Sequence, residues 1–275
     1  MTTEINFRLA GGPQPLILVP VKVNGQGAYD FILDTGAGTS LLSSELARSL
    51  GVEGTETKEG QVAGGKVSVP VGSVASLAIG EARVDNLQVA IIDLSDVGRA
   101  VGAQIDGDIG YNFLKEFRVT IDYRRNRLRL AKGLYESVGA AALKEVAFRL
   151  AAPVKPLLLV NVVINGGLAC EFAIDTGCST TMISPELASS LEVAGVPIPP
   201  ITTGGAHQVE ASVGSLASLA VGESLTRNLQ VVIADTFSLL NRATGANFNG
   251  IIGYNFLKEF TVTIDYPNER LSLSR

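Results

Sequence analysis

The sequence predicts a mainly β fold of two pseudo-symmetric lobes built from an internal repeat, each lobe carrying one or two short helices. Three observations point there. Glu4–Gly25 reads EINFRLAGGPQPLILVPVKVNG and Glu145–Gly166 reads EVAFRLAAPVKPLLLVNVVING, with 12 of 22 positions identical. The apolar segments are rich in Val, Ile, Leu and Thr and are interrupted by 30 Gly, which suits strands and tight turns better than long helices. Asn-Gly pairs stand between apolar runs, a strong hairpin signal.

The repeat covers nearly the whole chain, and it fixes the organisation before any local reading does. NLQVAIID at Asn86–Asp93 returns as NLQVVIAD at Asn228–Asp235, and IGYNFLKEF at Ile109–Phe117 returns unchanged at Ile252–Phe260. Residues 1–130 are expected to form the first lobe and residues 145–275 the second. Residues 131–144 lack strand alternation and are expected to connect them. Two repeats are too few for a solenoid or propeller.

In chain order, Leu16–Val23 and Ala28–Leu33 should form a hairpin around Asn24-Gly25. Leu157–Ile164 and Cys170–Ile174 should do the same around Asn165-Gly166. Ser43–Leu50 reads as a short helix with a Ser cap, stopped by Gly51. Ser184–Leu191 matches it, with Pro185 at the first helical position. Two glycine pairs, Gly64-Gly65 and Gly204-Gly205, then occupy matching places between apolar strands, as hairpin tips. Gly64-Gly65-Lys66 lacks the rest of a phosphate-loop pattern.

Composition removes several functions. Apolar residues make up 46% of the chain, enough for a sizeable core, yet no apolar run approaches the roughly 20 residues that span a bilayer. The net charge of −5 argues against a nucleic-acid partner, which needs clustered cations. The basic run Arg124–Arg129 has no counterpart in the second repeat and reads as a solvated turn and strand face. Met1-Thr2-Thr3 leads straight into the first repeat, so the chain as written is expected in the cytoplasm, or exported if a leader was removed. Cys170 and Cys178 are too few for a disulfide framework or a zinc site. His207, the sole histidine, has no evident nucleophile beside it. Neither a metal nor a cofactor is expected.

The chemistry-bearing motif is Asp-Thr-Gly, present twice in matching surroundings, as Phe31-Ile32-Leu33-Asp34-Thr35-Gly36 and Phe172-Ala173-Ile174-Asp175-Thr176-Gly177. Each Asp follows a buried strand at a turn. Two such turns related by the repeat set two carboxylates face to face. Carboxylates too close to ionise together act as one general acid and one general base.

With Ile32–Ser40, the downstream Asp108-Ile109-Gly110-Tyr111-Asn112-Phe113-Leu114, and their second-half counterparts Ile174–Thr180 and Ile251–Leu257, the chain resembles the retropepsin-like aspartic proteases, relatives of the two-lobed pepsins, in a tandem, single-chain form. The resemblance implies an acid-protease closed β-barrel fold. It implies that Asp34 and Asp175 form a catalytic pair activating water for attack on a peptide carbonyl, with no covalent intermediate. Thr35 and Thr176 would lock the two turns together, and Gly36 and Gly177 would bring amides to the carboxylates. Gly64, Gly65, Gly204 and Gly205 would lie in flaps over a peptide or protein substrate. Glu4–Ala10, Arg127–Leu130, Glu145–Ala151 and Arg270–Ser274 would build an interlobe sheet. A monomer with pseudo-two-fold symmetry is expected.

The halves are not identical. Ala37 answers to Cys178, Asp108 to Ile251 and Lys66 to Ala206. The chemistry is therefore expected to be nearly symmetric at the carboxylates and asymmetric where substrate touches. Two other readings remain: a peptide-binding module that retains the fold without catalysis, and a glycosidase with paired carboxylates. The latter holds its acids at least ~5 Å apart, whereas adjoining Asp-Thr-Gly turns hold them nearer ~3 Å.

Overall fold

The computed structural model describes residues 1–62, 65–133, 145–152, 156–203 and 207–275. The first half comprises strands β1 (Thr2–Asn6), β2 (Arg8–Ala10), β3 (Leu16–Val23), β4 (Gln26–Leu33), β5 (Leu41–Ser43), β6 (Glu56–Val62), β7 (Gly65–Ile79), β8 (Ala82–Ile92), β9 (Gly107–Ile109), β10 (Arg118–Asp122) and β11 (Arg127–Ala131). Its helices are α1 (Ser44–Ser49), α2 (Ser95–Val101) and α3 (Tyr111–Leu114). The second half repeats the series as β12 (Glu145–Ala147), β13 (Arg149–Leu150), β14 (Leu158–Ile164), β15 (Leu168–Ile174), β16 (Met182–Ile183), β17 (Val196–Thr203), β18 (His207–Val221), β19 (Ser224–Ala234), β20 (Gly250–Ile252), β21 (Thr261–Asp265) and β22 (Arg270–Ser274). Helices α4 (Pro185–Ser190), α5 (Phe237–Thr244) and α6 (Tyr254–Leu257) complete it. No helix among the described residues is long and apolar enough to cross a membrane.

Local chemistry accounts for these elements. Asn24 and Gly25 both take positive φ, 52° and 79°, as do Asn165 and Gly166, the conformation a two-residue hairpin demands. Ser43 caps α1 by accepting from Leu46 N at 3.1 Å, and Ser184 caps α4 from Leu187 N at 3.1 Å. Among the described residues, each half holds three short helices where one or two were expected. The additional single-turn helices, α3 and α6, are four residues each, too short to show helical periodicity.

Each half closes on itself. In the first, strands run β2-β3-β4-β9-β5-β8-β7-β6, and β3 also pairs β7, which closes the inner strands into a barrel. The second half has the order β13-β14-β15-β20-β16-β19-β18-β17, closed by β14 with β18. Parallel pairings β4–β9 and β15–β20 bring distant chain segments beside the two Asp-bearing strands.

A third sheet joins the halves in the order β1-β11-β10-β21-β22-β12. Its seam is the antiparallel pair β10–β21, centred on Thr120 and Thr263, whose hydroxyls meet at 3.1 Å. One face carries Val119, Ile121, Leu128, Leu130, Val262, Ile264 and Leu271, all fully buried. Each such side chain contributes roughly 1.5–3 kcal/mol on burial. The expected interlobe sheet is thus present, with two differences. Its central strands, β10 and β21, were not among the expected segments, and residues beyond Phe7 and Phe148 leave it. Those two buried aromatics mark the crossing, and β2 and β13 turn away to pair with β3 and β14. The expected connector lies mostly outside the described residues, which resume at Glu145.

Candidate active site

Asp34 and Asp175 directly follow β4 and β15, strands whose last three residues are buried. Phe31, Leu33, Phe172 and Ile174 are fully buried and anchor the two turns. Each Asp is held by its own backbone: Asp34 N donates to Ile109 O at 3.1 Å and Asp175 N to Ile252 O at 3.0 Å. The parallel strands β9 and β20 thus set the height at which each carboxylate emerges.

The two turns are bolted together across the pseudo-two-fold axis. Thr35 N donates to Thr176 Oγ1 at 3.1 Å, and Thr176 N donates to Thr35 Oγ1 at 3.0 Å. Each hydroxyl then donates onward into the opposite half: Thr35 to Ile174 O at 3.0 Å and Thr176 to Leu33 O at 2.6 Å. Both threonines are buried, so none of these partners is replaceable by bulk water. Thr176→Val keeps the shape and removes the hydroxyl, leaving a buried amide and a buried carbonyl unpaired. It is expected to destabilise the protein by about 1–3 kcal/mol in chemical denaturation. A Val variant as stable as the parent would show that the lock is not what joins the turns.

Gly36 and Gly177 are glycines for a measurable reason. Gly36 N donates to Asp34 Oδ1 at 2.7 Å, and Gly177 N to Asp175 Oδ1 at 2.8 Å. A Cβ on Gly36 would lie 2.5 Å from Asp175 Oδ2, and one on Gly177 would lie 2.6 Å from Asp34 Cγ. Each carboxylate therefore sits against the other half's glycine, which only a side chain of hydrogen permits. The sequence-predicted residues Asp34, Thr35, Gly36, Asp175, Thr176 and Gly177 come together in one cluster.

Of the expected flap residues, Gly65 opens β7 and pairs with Val62 at the end of the β6–β7 hairpin. Gly64, Gly204 and Gly205 lie outside the described residues.

Three groups were not recognised from sequence. Asn112 Oδ1 accepts from Ser40 N and Ser40 Oγ, both at 2.8 Å, while its Nδ2 donates to Gln88 O at 2.8 Å. Asn255 does the same for Thr181, donating to Gln230 O at 2.7 Å. The Asn of each Tyr-Asn-Phe-Leu repeat thus braces the loop that follows its Asp-Thr-Gly. The signal was visible as the unchanged repeat of that motif.

The third group is Asp108. It is only 5% exposed and its Oδ1 has no hydrogen-bond partner among the described residues. Its carboxyl lies close enough to that of Asp34 for the two to act on each other. Burial, with Asp34 and Asp175 beside it, holds that carboxyl well above the usual carboxylate range. The expectation of near-symmetry at the carboxylates is therefore wrong. A difference between the halves lies beside the pair itself, because Ile251 occupies the equivalent place.

Around the pair the other titratable groups are held neutral. Burial and then Asp175 push the Cys178 thiol up, and its Sγ donates to Thr180 O at 3.0 Å. Cys170 is half-buried and free, its thiol pushed up by burial to about 11. Burial raises the Tyr123 and Tyr266 phenols as well. These rings cross between halves, Tyr266 edge-on to Tyr111 at 5.8 Å and Tyr123 edge-on to Tyr254 at 5.6 Å. Among the described residues, no group of three or more His, Cys, Asp or Glu is arranged to hold a metal ion.

A family model described as aspartyl protease matches residues 19–113 and again residues 160–256. The two matches begin and end at equivalent points of the repeat, Val19 with Val160 and Phe113 with Phe256. No curated protein matches the chain.

Proposed function

Because the chain belongs to the aspartyl protease family, we propose that it is a single-chain aspartic endopeptidase whose two lobes each supply one acid. The observation that carries this reading is the mutual approach of the two turns, each carboxylate pressed against the other half's glycine. One carboxylate, ionised, takes a proton from a water held between the pair. That water attacks the peptide carbonyl carbon while the other, protonated, carboxyl donates to the carbonyl oxygen. The attack forms one C–O bond; collapse of the tetrahedral species breaks the C–N bond as the amine gains the proton taken from water and the diol hydroxyl returns one to the other carboxylate. The Thr35–Thr176 lock and the Gly36 and Gly177 amides hold the carboxylates in place through these steps, which a displacement of about 1 Å would slow by about 10²-fold. Substrate would lie extended below the β6–β7 and β17–β18 hairpins, bound by main-chain hydrogen bonds.

The test is cleavage of a peptide library from acidic to neutral pH, with and without a transition-state-mimicking inhibitor of aspartic proteases. Cleavage suppressed by the inhibitor is the expected result. Peptide binding without cleavage at every pH would favour the non-catalytic module instead.

A further inference from the structure

Asp108 is placed by strand pairing, not by proximity in sequence. The parallel register of β4 and β9 sets Ile32 opposite Asp108 and Leu33 opposite Ile109. Side chains alternate along a strand and align across neighbours, so Ile32, Asp34 and Asp108 share one face. On its other side β9 pairs with β5, which sets the apolar Leu41 opposite Asp108. The charged groups that act on Asp108 are Asp34, after β4, and Asp175, after β15, both acids. Burial raises the Cys178 thiol and the Tyr123 and Tyr266 phenols, the other titratable groups that the pair's charges reach among the described residues.

A buried carboxylate with acids for neighbours is costly, since nothing compensates its desolvation. An unpaired Oδ1 costs less on a neutral carboxyl than on an ion. Two neighbouring carboxyl groups can share a hydrogen bond only if one of them holds a proton. We propose that Asp108 is a positioning residue that keeps its proton and donates it as a hydrogen bond to Asp34, so that Asp34 serves as the general base and Asp175 carries the pair's mobile proton. The proposal rests on the proteolytic reading above and deepens it by assigning the two roles. Asp108 touches neither water nor peptide in this scheme; it acts through Asp34.

Two substitutions separate donation from packing. Asp108→Asn retains a donor. Asp108→Ile removes it and installs the residue that already fills the equivalent buried place in the second half, where Ile251 is 7% exposed. The measurement is kcat/KM against pH on a peptide cleaved by the parent, with Asp34→Asn alongside. Losing the donor leaves the Asp34 charge less stabilised, so in Asp108→Ile the acid limb should rise by about 1–2 pH units, the worth of one hydrogen bond to a charged group. Asp108→Asn should keep that limb at the parent's position. An acid limb that falls in Asp108→Ile would mean Asp108 is ionised, and superimposed profiles would mean it is uncoupled; either overturns the proposal. Asp34→Asn inactive beside superimposed profiles defeats only this inference, whereas an active Asp34→Asn defeats the proteolytic reading too.

Stability gives a second readout. Below the usual carboxylate range, folded and unfolded chains both hold the Asp108 proton. As pH rises the unfolded chain releases it first, so the fold loses stability until the folded Asp108 ionises. The stability of Asp108→Ile relative to the parent should therefore grow with pH above that range. A pH-independent difference would show a purely structural role.

Discussion

Replacing Asp34 or Asp175 by Asn is expected to lower peptide cleavage by about 10³-fold or more while leaving the protein folded, because each removes a positioned acid–base group. Asn is nearly isosteric with Asp, and its carbonyl oxygen can still accept from Gly36 or Gly177, which donate at 2.7 and 2.8 Å in the parent. The threonine lock lies one residue along and is untouched. What disappears, in the proposed mechanism, is the exchange of a proton between the two carboxyl groups. Neither single variant should retain half the activity, since an acid without its base cannot turn over. Initial rates on a denatured protein substrate, with thermal unfolding as the folding control, check this. Near-normal turnover in either variant would remove the carboxylate pair as the site of chemistry.

Gly36→Ala is expected to lower activity too, by a different route. The new Cβ would stand 2.5 Å from Asp175 Oδ2, well inside contact distance. The pair can relieve this only by moving a carboxylate or parting the two turns. Parting the turns strains the hydrogen bonds between Thr35 and Thr176. Overpacking of this kind destabilises by roughly 1–3 kcal/mol, and a displacement of about 1 Å at reacting groups costs about 10²-fold in rate. Gly177→Ala should do the same from the other half. Gly167, where a Cβ would meet nothing within 4 Å, is the control, and its Ala variant should cleave like the parent. If Gly36→Ala were equally active, the two halves would be looser at the axis than the geometry indicates.

Most of the site was legible in the chain because it is built from local signals that occur twice. Asn24-Gly25 and Asn165-Gly166 announced the hairpins that deliver Asp34 and Asp175. Ser43 and Ser184 announced the helices behind them. The Asp-Thr-Gly tripeptides needed only the repeat to become one cluster. The features that escaped depend on long-range pairing. Arg118–Asp122 and Thr261–Asp265 are short alternating runs that carry no sign of their partner, yet they form the seam between the halves. Phe7 and Phe148 sit within continuous strand-like segments, and only the competing partners on either side reveal that the chain changes sheets there. Asp108 could be seen to differ from Ile251, but its meaning follows from the β4–β9 register, which joins residues more than seventy positions apart.

The mismatch between Asp108 and Ile251 bears on why the halves share one polypeptide. An assembly of identical subunits about a two-fold axis presents every residue of a shared site twice. Its acids there come in even numbers. Two copies of the first half would crowd four carboxyls around the axis, and two copies of the second would hold two. A chain whose halves diverge within one covalent frame can hold three. Fusion thereby releases the site from parity and gives its two equivalent aspartates separate identities.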